Sequence, residues 1–275
     1  MNKKVLTMQD ISCYGQCSIT VALPIISAWG YETAILPSAI LSTHTSGFKN
    51  FTVHDLSEEI PNILNHWKNE KIKYDALYVG YLGEIKHIDL VLQIKNELLN
   101  NDAPFVLDPV MGDEGKLYPA FNNEYVKAIR RLIKEADIIL PNLTEACFLT
   151  DTEYKENYDE KYIKNIINKL LALGAKKIVL TGIAYEKDMT GVVIFDENGY
   201  FHFTHQKINK SYHGTGDVYA STFLGAYLSN NDLRKSARLA AQFVVKAIQN
   251  TLMDLNHDYG VKFEPLLADF IKEYK

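Results

Sequence analysis

Cysteine is scarce in this sequence, with three residues among 275, at positions 13, 17 and 147. The number is odd and no Cys-x-x-Cys pair occurs, so the pattern argues against a disulfide framework. Cys13 and Cys17 have no histidine at zinc-site spacing, and we expect both to contribute to packing. This usage of cysteine favours a reducing, cytoplasmic location.

Long apolar runs and basic clusters are also lacking. The apolar stretches are shorter than the roughly 18 residues of a membrane span and are interrupted by polar residues. The N-terminus carries Lys3 and Lys4 without a sustained apolar region, so we expect no signal peptide and no membrane partner. The net charge is −5 and the Lys and Arg residues form no dense cluster, which argues against nucleic acid as a partner.

Strand, loop and helix patterns alternate with crossovers of about 20–30 residues, which predicts an α/β fold with a largely parallel sheet. The length allows one large core, and neither repeats nor a linker divide the chain. We expect a single domain over residues 1–275, with an extended flap at about 38–53. Strands are expected at 3–9, 32–36, 75–79, 104–107, 137–140 and 177–180, with a hairpin of 191–196 and 200–205. Helices are expected at 21–29, 57–69 (capped by Ser57), 84–99, 123–134, 146–149, 160–173, 218–229, 233–252 and 263–272.

A glycine-rich turn, His-Gly-Thr-Gly-Asp at 213–217, runs into a helix-length apolar segment. Backbone N–H groups of Gly214, Thr215 and Gly216 can converge on an anion, and the helix start adds unpaired donors. A carboxylate repels a phosphate, so Asp217 must have a separate function at such a site. We assign it as the base that accepts the proton of a substrate hydroxyl. Taken alone, the pattern is more typical of a turn in which the aspartate caps the helix. A Walker loop is excluded, because no Gly-Lys-Ser/Thr occurs.

Polar residues follow the ends of the other predicted strands. Because the carboxyl ends of parallel strands meet at one sheet edge, where ligands bind in such folds, we expect these side chains to converge. Their carboxylate and amide oxygens suit Mg²⁺ held mainly through water. Plainer alternatives exist: a helix cap for Asp10 or Asn142, a turn for Asp108, and a core aromatic for Tyr81. The residues concerned are Asp10, Ser12, Tyr81, Asp108, Asn142, Glu145 and Thr181.

With these motifs the sequence resembles the kinases of the ribokinase superfamily, specifically the pyridoxal (pyridoxamine) kinases of vitamin B6 salvage. The similarity covers essentially the whole chain. Gly-Thr-Gly-Asp alone indicates only a small-molecule kinase, whereas the Ser-x-His-Thr flap together with Gly-Tyr-Leu-Gly indicates the B6 branch. The motifs that carry the resemblance are Leu-Ser-Thr-His-Thr at 41–45, Gly-Tyr-Leu-Gly at 80–83, Asp-Pro-Val-Met-Gly at 108–112, Pro-Asn-Leu-Thr-Glu at 141–145 and Gly-Thr-Gly-Asp at 214–217.

The resemblance implies a ribokinase-like three-layer α/β/α fold and ATP-dependent phosphorylation of the 5′-hydroxymethyl group of a B6 vitamer. It also implies Mg²⁺ with ATP, a monovalent cation such as K⁺, and a homodimer. The implied catalytic residues are the base Asp217 and the anion hole of Gly214, Thr215 and Gly216. The implied ATP-binding residues are Asp108, Asn142, Glu145, Thr181 and Gly182, of which Asp108 and Glu145 serve the metal. The implied substrate-binding residues are Asp10, Ser12, His44, Thr45 and Tyr81.

One position departs from the family pattern. Many relatives carry Gln-Ser-His near the end of the first strand, where the serine touches the substrate, whereas this chain has Gln9, Asp10 and Ile11. Asp10 could pair with a protonated ring nitrogen or an amine, or accept from the ring hydroxyl. Two alternatives stay open: a hydroxymethylpyrimidine kinase of thiamine synthesis, and a non-catalytic nucleotide- or B6-binding protein, which would not need the base Asp217.

Overall fold

A nine-stranded sheet lies at the centre of the structure, a computed structural model that describes residues 3–45, 47–254, 256–257 and 259–274. The predicted domain includes residues 1–2, 255, 258 and 275, and the predicted flap includes residue 46; these lie outside the described residues. The strands are β1 (Lys4–Ser12), β2 (Glu32–Leu41), β3 (Val53–Asp55), β4 (Ala76–Val79), β5 (Phe105–Leu107), β6 (Gly112–Asp113), β7 (Lys116–Leu117), β8 (Ile138–Ile139), β9 (Lys177–Thr181), β10 (Met189–Asp196) and β11 (Gly199–Gln206).

Helices connect the parallel strands, as the alternating pattern predicts. Within the described ranges, none of them combines the length and the apolar character that a membrane span requires. They are α1 (Ile19–Ala28), α2 (Ile60–Asn69), α3 (Lys86–Leu98), α4 (Asn123–Ile133), α5 (Leu143–Leu149), α6 (Glu160–Ala172), α7 (Thr215–Asn230), α8 (Leu233–Leu252) and α9 (Leu267–Tyr274), the last preceded by a 3₁₀ turn at Glu264–Leu266.

The strand order in the large sheet is β11-β10-β9-β8-β5-β4-β1-β2-β3. The strands from β9 to β2 pair in parallel, and the antiparallel strand pairs described in this sheet lie toward its edges, at β3, β10 and β11. The predicted α/β class with a mostly parallel sheet is confirmed. Because β1 lies between β2 and β4, the strand order reverses beside β1. Ligands in such sheets bind in the crevice at that reversal.

Both faces of the sheet are covered by helices. In β1 the side chains of Leu6 and Met8 join one core cluster, while Val5 joins a cluster on the opposite face. The same alternation in β4 turns Val79 to the first face and Tyr78 to the second. Parallel strands covered on both sides read as nearly continuous apolar runs, which is why these segments could be identified from sequence.

The strand β1 extends three residues beyond its predicted end at Gln9. Its pairing with β2 shifts register between Gln9 and Ile11, where the single residue Asp10 lies opposite Ser38 and Ala39, so the extra residue belongs to β2. The expectation that Asp10 and Ser12 lie in a loop is therefore wrong, because both belong to the strand. Register shifts of this kind are frequent beside functional sites.

The first part of the predicted flap is a continuation of β2. Leu41 pairs with Val53, and β3 returns antiparallel along the outer edge of the sheet. Beyond that ladder, the Ser42 N–H donates to the Thr52 carbonyl at 3.0 Å. The flap is thus a hairpin that extends from the sheet beside β1.

The predicted helix cap at Ser57 is wrong. The helix α2 begins at Ile60 and has Glu59 as its N-cap residue. Ser57 is buried, and its hydroxyl donates to Asp55 at 2.6 Å and lies 2.6 Å from Nε2 of His87. Because the hydroxyl is already engaged by these partners, it does not serve the helix.

Candidate active site

Asp217 lies in the first turn of α7, three residues after the N-cap residue Gly214. Burial raises the pKa of Asp217 to about 7; a hydrogen bond from the Ser18 N–H opposes this rise, and the charge of Asp10 adds to it. The residue keeps partial access to solvent. A carboxyl group that titrates near neutrality suits a general base. The helix-cap alternative for Asp217 is wrong, because Gly214 occupies the cap position.

The two glycines of the turn differ in what surrounds them. Gly214 has a φ of 77°, and a Cβ atom there would lie 1.9 Å from the carbonyl oxygen of Gln16. At Gly216, by contrast, a Cβ atom would have no described neighbour within 4 Å outside its own helix and its chain neighbours. Thr215 fixes the helix entry, since its hydroxyl donates to the Tyr212 carbonyl at 3.2 Å. The N–H groups of this first turn lack intrahelical acceptors and are available to an anion.

Asp10 is buried at the end of β1, where it accepts two hydrogen bonds. Ser12 Oγ donates to Oδ2 at 3.0 Å, and Ser18 Oγ donates to Oδ1 at 2.5 Å. Burial raises the pKa of Asp10, and these hydrogen bonds and the charge of His44 act in the opposite direction. The helix-cap alternative for Asp10 is wrong, because its carboxylate is bound by serine hydroxyls. Asp10 and Asp217 are neighbours, since the charge of one shifts the pKa of the other.

Asp108 follows β5 and is buried among negative charges. Burial raises its pKa well above the ordinary value, and the carboxylates of Glu145 and Asp217 raise it further. Burial also raises the pKa of Glu145 to about 8, against hydrogen bonds from the N–H groups of Asn142 and Met111. The end of β5 and the first turns of α5 and α7 therefore bring the carboxyl groups of Glu145 and Asp217 close enough to Asp108 to raise its pKa.

Asn142 and Glu145 form a capping box at the start of α5. Asn142 accepts from the Glu145 N–H at 2.9 Å, and Glu145 accepts from the Asn142 N–H at 2.8 Å. The same side chains hold the loop after Asp108, because Glu145 Oε1 accepts from the Met111 N–H at 3.1 Å and Asn142 Nδ2 donates to the Gly112 carbonyl at 2.9 Å. The helix-cap alternative for Asn142 is thus correct, and the cap is what presents Glu145 to Asp108.

Thr181 and Gly182 lie at the same edge of the sheet. Thr181 forms a parallel bridge with Asn142, and its N–H donates to the Pro141 carbonyl at 3.0 Å. Gly182 has a φ of 75°, and a Cβ atom there would meet no described neighbour within 4 Å. The two residues therefore border open space next to the capping box.

A magnesium ion fits the chemistry of these donors. Asp108, Glu145 and Asp217 offer only oxygen atoms, and a divalent cation would relieve the repulsion of Asp108 by the other two carboxylates. Among the described residues, no three Asp, Glu, His or Cys side chains form a metal centre by themselves. Mg²⁺ commonly keeps several waters and takes one or two carboxylates together with substrate phosphates.

Tyr81 is half-buried at the end of β4, where its ring lies 5.3 Å from that of Phe121. Burial raises the pKa of Tyr81 to about 12, and the charges of Asp10 and Glu84 contribute. The phenol is therefore neutral and close to Asp10. The alternative that Tyr81 is a core aromatic is only partly correct, since the residue remains partly open to solvent.

His44 anchors the flap to the loop that follows β1. Its ring occupies the space that a Cβ atom at Gly15 would need, and Nε2 lies 3.0 Å from the Tyr259 carbonyl oxygen. The ring centroid is 5.4 Å from that of His213, which precedes the glycine turn. Thr45 follows on the flap and is exposed. The flap therefore lies over the region between Asp10 and the start of α7.

Sequence reasoning missed Ser18 and Tyr78. Ser18 precedes a helix and would be read as an ordinary cap, yet it binds Asp10. Tyr78 is fully buried. Burial raises its pKa well above the ordinary value, and the charges of Asp108 and Asp217 raise it further, so its hydroxyl lies beneath the site. A tyrosine in an otherwise apolar strand was the available signal for Tyr78.

The cysteine expectation was half correct. Cys17 is partly buried, and its sulfur would lie 3.6 Å from a Cβ atom at Gly214, so it packs beneath the glycine turn. Cys13 is exposed, and its predicted packing role is wrong.

Comparison with known proteins agrees with this fold. A family model described as phosphomethylpyrimidine kinase matches residues 5–262. The hydroxymethylpyrimidine/phosphomethylpyrimidine kinase of Aquifex aeolicus is 34% identical over 226 residues, covering 80% of this chain and 84% of that protein. The crystal structure of pyridoxal kinase from Lactobacillus plantarum superposes with a TM-score of 0.90 at 33% identity, covering 98% of this chain and 97% of that one. A Bacteroides thetaiotaomicron structure named for phosphomethylpyrimidine kinase, in a crystal form with pyridoxal, gives a TM-score of 0.92 at 33% identity, covering 98% and 96%.

The fold and the site define a kinase of the ribokinase-like class, as the sequence motifs predicted. The chain belongs to the phosphomethylpyrimidine kinase family. The predicted resemblance to pyridoxal kinases is confirmed, because such kinases are among its relatives in both sequence and structure.

Proposed function

We propose that this kinase transfers the γ-phosphoryl group of ATP to the 5′-hydroxymethyl group of pyridoxal, pyridoxamine or pyridoxine, giving the 5′-phosphate in vitamin B6 salvage. The observation that carries the proposal is a carboxyl group with a pKa of about 7, that of Asp217, in the first turn of a helix whose N–H groups are available to an anion. The likeness to the Lactobacillus pyridoxal kinase, and to the Bacteroides structure with pyridoxal, supports a B6 acceptor.

The chemistry follows from the positions of these groups. Asp217 accepts the proton of the acceptor hydroxyl as that oxygen bonds to the γ-phosphorus, and ADP leaves with the electrons of the broken P–O bond. The N–H groups of Thr215 and Gly216 stabilise the negative charge of the phosphoryl group in transit. The flap anchored by His44 excludes water, which would otherwise compete with the acceptor.

Asp108 and Glu145 would hold Mg²⁺, largely through water, beside the ATP phosphates. When bound, the ion supplies positive charge that offsets the charge of the phosphates. Asn142, Thr181 and Gly182 are proposed to contact the nucleotide, because they border the open space at the same sheet edge.

The acceptor ring is proposed to lie between β1 and the flap. Tyr81 offers a half-exposed aromatic face for stacking, and Asp10 offers a buried carboxylate for a ring substituent or amine. Ser12 orients Asp10, while Thr45 and His44 belong to the covering flap. This arrangement supplies one polar contact at each end of a small heterocycle.

Hydroxymethylpyrimidine is a second candidate acceptor. The Aquifex relative carries that activity in its name, and the matching family model is named for the related phosphomethylpyrimidine kinase. The chemistry at Asp217 would be unchanged, so only residues on the acceptor side can distinguish the two substrates.

Initial-rate assays with Mg–ATP and a panel of pyridoxal, pyridoxamine, pyridoxine and hydroxymethylpyrimidine test this proposal. We expect ADP release that depends on a B6 vitamer, together with a phosphorylated vitamer detected by mass spectrometry. Release with hydroxymethylpyrimidine alone would favour the second candidate. If no member of the panel supported ADP release, the chain would be a binding protein on a kinase fold.

Several wider features belong to the same proposal. One kinase domain and a cytoplasmic location are supported by the single central sheet and by the scarcity of cysteine. A homodimer is supported by the family resemblance, and Val53, 56% exposed at the sheet edge, is an apolar residue that a partner could cover. Light scattering tests the dimer, and exchange of NaCl for KCl in the assay tests activation by K⁺.

A further inference from the structure

Ser18 lies between two carboxylates of the site. Its hydroxyl donates to Asp10 Oδ1 at 2.5 Å, and its backbone N–H faces Asp217 and opposes the rise in the pKa of that residue. The loop that carries Ser18 also packs against the start of α7, because a Cβ atom at Gly214 would lie 1.9 Å from the Gln16 carbonyl oxygen and 3.6 Å from the Cys17 sulfur. Ser18 is buried, with 6% of its surface exposed, so water does not compete for its bond to Asp10.

The backbone of Ser18 is strained. Its φ is 54° and its ψ is −126°, a region that glycine adopts readily and that residues with a Cβ atom avoid. Ser18 starts α1, since its carbonyl accepts from the N–H groups of Val21 and Ala22, but its side chain makes no capping bond. The hydroxyl is instead committed to Asp10. Strain of this kind persists where the surroundings impose it and clusters at functional sites.

The strained residue faces the irregular end of β1. Ser18 forms an antiparallel bridge with Ile11, which is one side of the register shift that contains Asp10. Asp10 lies opposite the extra residue of β2, and the Ser18 hydroxyl holds its side chain. The strained backbone of Ser18 and the register shift opposite Asp10 are thus joined by one hydrogen bond.

We propose that Ser18 is a positioning residue that fixes the separation between Asp10 and Asp217, and that this separation selects the acceptor. The accepted molecules are small heterocycles whose hydrogen-bonding ring substituent and hydroxymethyl group match that separation. The assignment rests on the proposed function, in which Asp217 faces the hydroxyl and Asp10 the ring. A rigid link between the two groups lowers the cost of ordering the site when the acceptor binds.

The test compares Ser18→Gly with Ser18→Ala. Both variants keep the N–H to Asp217 and lose the hydroxyl that binds Asp10. Both variants lose the same hydrogen bond, but glycine relieves the strained backbone whereas alanine retains it, so we expect Ser18→Gly to melt at a higher temperature than Ser18→Ala. Ser236→Ala serves as a control, because it removes a fully buried serine hydroxyl on α8.

We expect both Ser18 variants to raise KM for the acceptor roughly tenfold, the usual effect of losing a hydrogen bond to a charged group. KM for ATP should stay within about twofold of wild type, since Asp108 and Glu145 are untouched. A residue that only starts α1 would give a Ser18→Gly enzyme with wild-type kinetics. That result, or an equal rise of both KM values, would overturn the proposal.

A second measurement does not depend on turnover. Carboxyl ¹³C NMR of the free protein follows the titration of Asp10, with Asp10→Asn used for assignment. Loss of the Ser18 hydroxyl removes a bond to the charged form, so the pKa of Asp10 should rise in both variants. An unchanged titration of Asp10 would overturn the proposed role of Ser18, even if the substrate panel revealed a different acceptor. Absence of wild-type activity with every vitamer, together with a shifted titration, would instead contradict the proposed function alone.

Discussion

Gly214 approaches Gln16 so closely that a Cβ atom at position 214 would stand 1.9 Å from the Gln16 carbonyl oxygen. The contact joins the loop after β1 to the first turn of α7 and so connects the acceptor side of the site to the anion cradle. Gly216, two residues later, has open space instead. Gly214 is therefore required by close packing within the fold, whereas Gly216 leaves space for a ligand.

Alanine at each glycine should separate folding from binding. Gly216→Ala should fold normally, because the space beside it is open, but its methyl group should displace the phosphate and lower kcat roughly 10²-fold. Gly214→Ala should lose roughly 2 kcal/mol or more of stability, since it meets backbone and has a positive φ. Melting curves and initial rates check both. Wild-type kinetics in Gly216→Ala would place the phosphate elsewhere.

Asp217→Asn should lower kcat by roughly 10²–10⁴-fold, the usual contribution of a general base. The amide keeps the size of the side chain but cannot take the proton, so binding of ATP by calorimetry should remain near wild type. Asp232→Asn is a matched control, because the exposed Asp232 caps α8 and asparagine caps a helix equally well. Turnover in Asp217→Asn equal to that of this control would remove Asp217 from the mechanism.

The rate should depend on pH through the same residue. Because burial raises the pKa of Asp217 to about 7, the ionised base is lost as the pH falls below that value. With saturating Mg–ATP, kcat/KM for the acceptor should fall about tenfold per pH unit on the acid side and level off above pH 7. A flat profile between pH 5.5 and 8 would contradict the assignment of this pKa to the base.

Much of the fold was predictable because the physical signals are local. The buried strands are continuous apolar runs, and α8 was predicted with the bounds that the structure shows, since its pattern is strongly periodic. The cap at Ser57 failed for a reason that sequence does not carry, namely that His87, thirty positions away, takes part in binding its hydroxyl. Tertiary contacts decide which of several polar partners a serine chooses.

The motifs predicted which residues belong to the candidate site, but not the contacts that connect those residues to one another. Strand ends located Asp10, Asp108 and Asn142, because parallel strands bring their carboxyl ends to one edge. The register shift opposite Asp10 and the positive φ of Ser18 are backbone properties without a residue signature. Serine at a position that favours glycine could be recognised only once the dihedral angles were known.

Asp217 should also make the stability of the protein depend on pH. Its pKa is about 7 in the folded chain against an ordinary 3.8, so the unfolded chain releases this proton first as the pH rises. Stability is therefore lost progressively between about pH 4 and pH 7 and is lowest above that range. Asp217→Asn removes this loss, and its melting temperature relative to wild type should be more favourable at pH 8.5 than at pH 4.5. A difference independent of pH would mean that the folded pKa is ordinary.

Asp10→Ser should change the choice among B6 vitamers. Asp10 is a buried carboxylate, and pyridoxamine carries an amine that is cationic at neutral pH where pyridoxal carries an aldehyde. Loss of a charge-assisted hydrogen bond should therefore cost pyridoxamine more, lowering its kcat/KM relative to that of pyridoxal by roughly tenfold. The ratio is measured with both vitamers at saturating ATP, beside Ser236→Ala as the control. An unchanged ratio would show that Asp10 binds a group that the two vitamers share, such as the ring hydroxyl or ring nitrogen.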